Sequence, residues 1–178
     1  MKSVWCLVAF LLCLMSGSAM AGPASGSVRS KTGAIMPKRA VAYVVRDDEG
    51  VAPARIEVLL TDAAIDVARL RAERDPHRAA INLEALRDHD YLLLWVAADG
   101  TVAMNATYSK TMTQYINDTD GGLLATLTSN TPQKVEGRVY SPVPLRSIDG
   151  ASYRMDVTFS ADILAPADPP LARSGRQR

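Results

Sequence analysis

The sequence predicts a mainly all-β protein: an antiparallel β-sandwich, immunoglobulin-like in outline, with a short α-helical insertion around residues 62–90. Three observations predict it. Short segments alternate apolar and polar residues at a period of two, and Asp, Gly and Pro clusters punctuate them. A single excursion with helical spacing interrupts the pattern.

The first 21 residues read as an export signal, with Lys2 as the charged start, Val4 to Met15 as the apolar run and Ala19-Met20-Ala21 as the cleavage site. The run breaks at Ser16-Gly17-Ser18, short of the ~20 apolar residues that a spanning helix needs. Leu12 before Cys13 occupies a position where lipoprotein processing wants a small residue, which argues against acylation. Both cysteines, Cys6 and Cys13, leave with the signal, so the exported chain has no disulfide, thiolate nucleophile or Cys-based metal site. It must fold on its hydrophobic core, and its length suffices for one domain.

One of the 20 Lys+Arg departs with the signal, leaving 19 against the 19 Asp+Glu. That neutrality gives no support for a nucleic-acid binder. The expected organisation is a signal over 1–21, a flexible leader over 22–38, a β domain over 39–164 and a disordered tail over 165–178. The leader is Gly/Ser/Ala-rich with too little apolar content to fold alone.

Order is expected from Ala40, where Val41, Tyr43 and Val45 share a strand face. The acidic turn Asp47-Asp48-Glu49-Gly50 leads to Pro53 and a second strand, Ala54 to Thr61, with Ile56, Val58 and Leu60 inward and Arg55, Glu57 and Thr61 outward. Ala63 to Arg74 then reads as a helix capped by Asp62 and stopped by Pro76, followed by a second helical piece near Asn82 to Arg87.

A central hairpin follows. Tyr91 to Ala97 is almost wholly apolar, as in a strand buried on both faces, and Asp99-Gly100 is a hairpin turn. Trp95 is expected to be buried there. Further strands are expected over Ser109 to Ile116, Leu123 to Asn130, Lys134 to Tyr140 and Ser152 to Ser160. In the last, Tyr153, Met155, Val157 and Phe159 point in and polar side chains point out, giving a sheet with one wet face.

No assembled catalytic set emerges. Asn117, Asp118 and Asp120 before Gly121-Gly122 resemble the start of a calcium loop, but Leu127 stands where an EF-hand requires Glu. Turn chemistry explains that segment, and exposed solvated carboxylates explain Asp47-Asp48-Glu49. His77 and His89 match no zinc-helix spacing, and no Gly-x-Ser-x-Gly elbow supplies a nucleophile for His89 between Asp88 and Asp90. Asn105-Ala-Thr107 and Asn117-Asp-Thr119 are formal glycosylation sequons.

The most unusual composition is Thr107 to Tyr115, where hydroxyls, Lys110, Gln114, Tyr108 and Tyr115 fall close together. Aromatic area with polar tips suits a recognition surface. The sequence therefore points to an exported, periplasmic or secreted, non-enzymatic interaction module, without cofactor or metal, binding a protein or cell-envelope component through Tyr108, Lys110, Gln114 and Tyr115. The alternatives are a hydrolase or metal-dependent enzyme using the acidic turns and His89, and a structural part of an envelope assembly.

Overall fold

A computed structural model describes residues 20–45, 55–73, 75–108, 122–146, 150 and 152–164. The strands are β1 (Gly22–Ser30), β2 (Ala34–Ile35), β3 (Arg39–Val45), β4 (Arg55–Thr61), β5 (Tyr91–Val96), β6 (Val102–Tyr108), β7 (Leu124–Asn130), β8 (Lys134–Tyr140), β9 (Leu145–Arg146) and β10 (Ser152–Leu164). Between β4 and β5 lie two helices, α1 (Val67–Ala72) and α2 (Pro76–Ile81), and a 3-10 turn over Glu84–Leu86. The protein is mainly antiparallel β, as its alternating segments predict. Among the described residues no helix is long and apolar enough to cross a membrane.

Hydrogen bonding runs through one nearly closed sheet in the order β6-β5-β4-β3-β1-β10-β8-β7. All neighbours on that path are antiparallel; β10 also meets β3 in parallel through Ile163 and Leu164. The ends of the path approach each other where the Asn130 side-chain amide donates to the carbonyls of Ala97 and Ala98, at 3.3 and 3.4 Å.

The inner face carries the main core. Ala40 and Ala42 of β3, Val58 and Leu60 of β4 and Leu92, Leu94 and Val96 of β5 pack with Val135, Val139, Tyr153, Met155, Val157 and Phe159 from the other half. In β10 the expected alternation is complete from Ser152 to Phe159, apolar positions buried and polar ones exposed. Its wet face carries the paired Arg138–Asp156 bidentate bridge, both bonds 2.7 Å.

Strands β3, β4 and β5 are covered on both faces. Their outer positions Val41, Tyr43, Leu59 and Leu93 form a second core with Val67, Leu70, Ala80, Leu83 and Leu86 from the helical insertion. Burying a side chain such as Leu70 is worth about 1.5–3 kcal/mol, so the insertion is held to the sheet by its own leucines.

The helix boundaries differ from the expected ones. Asp66 rather than Asp62 caps α1, its carboxylate accepting from the Arg69 amide at 3.0 Å. Pro76 opens α2 instead of ending the earlier helix, with Asp75 as its cap accepting from the Arg78 amide at 2.9 Å. Proline suits the first helical position because its missing N–H would be unpaired there anyway. Where the sequence suggests one helix over Ala63 to Arg74 and a second piece near Asn82 to Arg87, the insertion is two short helices and the 3-10 turn Glu84–Leu86 within the second expected piece.

Residues 22–30 are not a flexible leader: they form β1, paired with β10 from Ala24 opposite Phe159 to Ser30 opposite Tyr153. Poverty in apolar side chains reflects close backbone approach. A Cβ on Gly26 would stand 2.1 Å from the Asp156 carbonyl oxygen, and Gly26 has φ +100°. Backbone pairing and Val28, fully buried, hold the strand. Residues 1–19 of the expected 1–21 signal, the acidic turn 47–49, the expected strand over 109–116, the Asn117–Asp120 turn and the tail from 165 all lie outside the described residues.

Candidate functional site

The chemistry of the described molecule concentrates on Glu57. Its strand reads Arg-Ile-Glu-Val-Leu-Leu-Thr, and the register sets Glu57 opposite Tyr43 on one side and Trp95 on the other. All three side chains share the outer face of the sheet. The sequence reading made Glu57 an outward residue, which is correct for the strand face but not for solvent: it is 0% exposed.

A buried carboxylate is tolerated only when it is paired and hydrogen-bonded. Here Glu57 Oε1 accepts from the Tyr43 hydroxyl at 2.6 Å and lies 2.6 Å from His77 Nδ1, while Oε2 accepts from Trp95 Nε1 at 2.7 Å. The His77 contact places a proton on Nδ1 when Glu57 is ionised, because a carboxylate only accepts. His77 belongs to the first turn of α2 and its side chain is 34% exposed. The Glu57 network thus ties the helical cover to the sheet. Burial first, and then the charge of Glu57, push the Tyr43 hydroxyl well above its ordinary pKa, since both disfavour the phenolate.

Beyond the edge of this network, Arg55 stacks its guanidinium 3.8 Å from the centre of the Trp95 ring. Trp95 is only partly buried, and so is Arg55. The expectation of a fully buried Trp95 is therefore corrected. Its strand is central, but its side chain lies on the outer face, where the helical cover gives way to solvent. Among the described residues the buried Arg55 Nε finds no hydrogen-bond acceptor. The neighbouring carboxylate of Glu57 is already taken by Tyr43, His77 and Trp95.

Of the residues expected from sequence to bind, Tyr108 ends β6 in register with Tyr91, while Lys110, Gln114 and Tyr115 lie outside the described residues. The structure pairs His89, which the sequence sets between Asp88 and Asp90, with a carboxylate from further back in the chain. Its Nδ1 lies 3.0 Å from Asp62 Oδ1, at the surface, with the two side chains 44% and 40% exposed. Among the described residues no group of three His, Cys, Asp or Glu is placed to hold a metal ion. An open cleft of about 330 Å³ between α1 and α2 is lined by Arg69, Glu73, Asp75, Arg78, Ala79 and Asn82; its charges are of both signs and His77 is not among its walls.

Sequence reasoning passed over Glu57 and His77. A signal was present: the outer positions of β3 to β5 are Val41, Tyr43, Leu59, Leu93 and Trp95, an apolar face that needs a cover. A leucine-bearing excursion of 29 residues, 62–90, follows at once. The one acid on that face would then need hydrogen-bond donors, and His77 is one of the side chains in the cover that can supply one. Comparisons with protein-family models, with curated proteins and with solved structures find no match to this chain.

Proposed function

We propose that the chain is an exported, non-enzymatic interaction module, a sandwich of immunoglobulin-like outline, that binds a protein or component of the cell envelope. One observation carries this reading: a partly exposed Trp95 is fixed on both sides, its Nε1 by Glu57 and its ring face by Arg55. Tryptophan and arginine dominate binding hot spots, and a side chain already locked in place loses little entropy on association. The Tyr108–Tyr115 segment, which continues from β6, is the second proposed contact, on its composition.

The test is capture by the immobilised exported chain from the envelope and soluble exported fractions, with Trp95→Ala and Tyr115→Ala beside it. A saturable partner lost in Trp95→Ala, with melting temperature measured for both variants, supports the reading. The absence of any saturable partner, together with ester or peptide hydrolysis abolished by His77→Gln or His89→Gln, replaces it with the enzymatic one.

A further inference from the structure

We infer that Arg55, laid on Trp95, is a docking point for a carboxylate on a partner protein, an Asp or Glu side chain that it grips edge-on. The inference deepens the interaction-module reading and rests on it.

The argument begins with what Arg55 is not doing. An arginine beside a glutamate two residues along the same strand face would ordinarily pair with it. Glu57 instead turns its two oxygens to Tyr43, Trp95 and His77 at 2.6–2.7 Å, and Arg55 stacks on the Trp95 ring rather than on that carboxylate. Among the described residues Arg55 enters no ion pair, whereas Lys134 with Glu136 and Arg138 with Asp156 do. Its Nε is sealed from water without an acceptor.

Geometry then fixes what fits. Stacking against Trp95 at 3.8 Å occupies one face of the guanidinium; with Nε enclosed, the edge that remains for a ligand is the one formed by the two Nη groups, whose N–H donors lie in plane. A planar carboxylate matches that edge with two parallel hydrogen bonds. The indole beneath offers apolar area to the methylenes of an acidic side chain, and partial burial lowers the local dielectric, which strengthens the pair over one in water. Glu57 helps by holding Trp95 still, so the platform for the guanidinium is set before a ligand arrives.

The test uses the full exported chain labelled with 15N, watching the Arg55 Nε–H and Trp95 Nε1–H resonances. The probes are acetyl-Gly-Glu-Gly-amide, its Gln counterpart and sodium acetate. The Glu peptide is expected to shift both resonances saturably and the Gln peptide to leave them in place. Arg55→Gln should weaken the Glu peptide at least tenfold while melting within a few degrees of wild type. Arg55→Lys, which keeps charge but not the planar fork, should recover only part of that loss. Trp95→Phe, a second variant that retains a ring beneath Arg55, should retain binding better than Arg55→Gln.

Equal shifts from the Gln peptide, or unchanged affinity in Arg55→Gln, overturn the inference. Acetate binding as tightly as the peptide also overturns it, because the site would then read a free small anion. Failure here is separable from failure of the module reading. Wild type and Arg55→Gln capturing one saturable partner equally refutes only the carboxylate site. No captured partner alongside a positive peptide titration refutes only the module.

Discussion

Glu57→Gln changes almost no volume, so it isolates what the carboxylate contributes to the domain. In the wild type its two oxygens satisfy three donors. An amide offers one oxygen and, in place of the other, an NH2 that only donates. Tyr43 and Glu57 are both 0% exposed, so water cannot replace an acceptor lost on that side. The amide oxygen should therefore stay with Tyr43 and His77, and Trp95 should face a donor. One bond is lost and two become neutral-acceptor bonds. With bonds to charged groups contributing about 1.5–3 kcal/mol against about 1 for neutral ones, the expected destabilisation is about 2–4 kcal/mol. Glu57→Ala strands all three donors and opens a void, and should cost about 4–5 kcal/mol. Urea unfolding at neutral pH, read by circular dichroism and extrapolated linearly, measures both. A double-mutant cycle with His77→Ala should give a coupling of about 1–2 kcal/mol, moderated by the 34% exposure of that ring. Buried ion pairs are sometimes no better than apolar packing. A loss under about 0.5 kcal/mol in Glu57→Gln, with unchanged denaturant slope, would refute the view that this carboxylate holds the helical cover to the sheet.

Three further outcomes are expected. The raised pKa of Tyr43 means that the unfolded chain loses this proton near the ordinary 10.0 while the folded chain retains it. Stability is thus fully present below that pH and falls above it, by up to about 1.4 kcal/mol per pH unit from this group; Tyr43→Phe should flatten the fall in alkaline urea melts. Gly26→Ala drives a Cβ into the Asp156 carbonyl at a positive φ and should cost about 2 kcal/mol or more, seen as a lowered melting temperature. Arg138→Ala removes a bridge whose side chains are 53% and 59% exposed. It should lower the melting temperature little, and less again in 1 M salt, although the Arg138 hydrogen bond holds the Asp156 carboxyl below its usual range.

The sequence was most legible where one strand meets one solvent boundary. From Ser152 to Phe159 in β10 the two-residue alternation maps directly onto exposure. The run Leu92-Leu93-Leu94 also declares itself, since only a strand covered on both faces removes three consecutive leucines from water. Legibility fails where stability comes from the backbone. Strand β1 has few apolar side chains to reveal it because its glycines let β10 approach closely, and composition alone reads that as slack chain. It fails again at Pro76, which halts one helix or starts another depending on whether Asp75 caps the turn. Glu57 was hidden because face periodicity assigns a side of the strand, whereas burial depends on an element folded from a later part of the chain.

The pairing of β1 with β10 gives the domain an order of assembly. The meander β3-β4-β5 and its helical cover are built from near neighbours in sequence, so their contacts close short loops early. The seam that joins this half to β7 and β8 requires Val28 to meet Met155 and Ala42 to meet Ile163. Such distant pairings incur a large loop-closure entropy and slow the final step. A chain delivered from its N-terminus holds the inner apolar face of β3 to β5 open until Leu164 has emerged, and β10, the last of the described strands to arrive, is also the one that joins both halves.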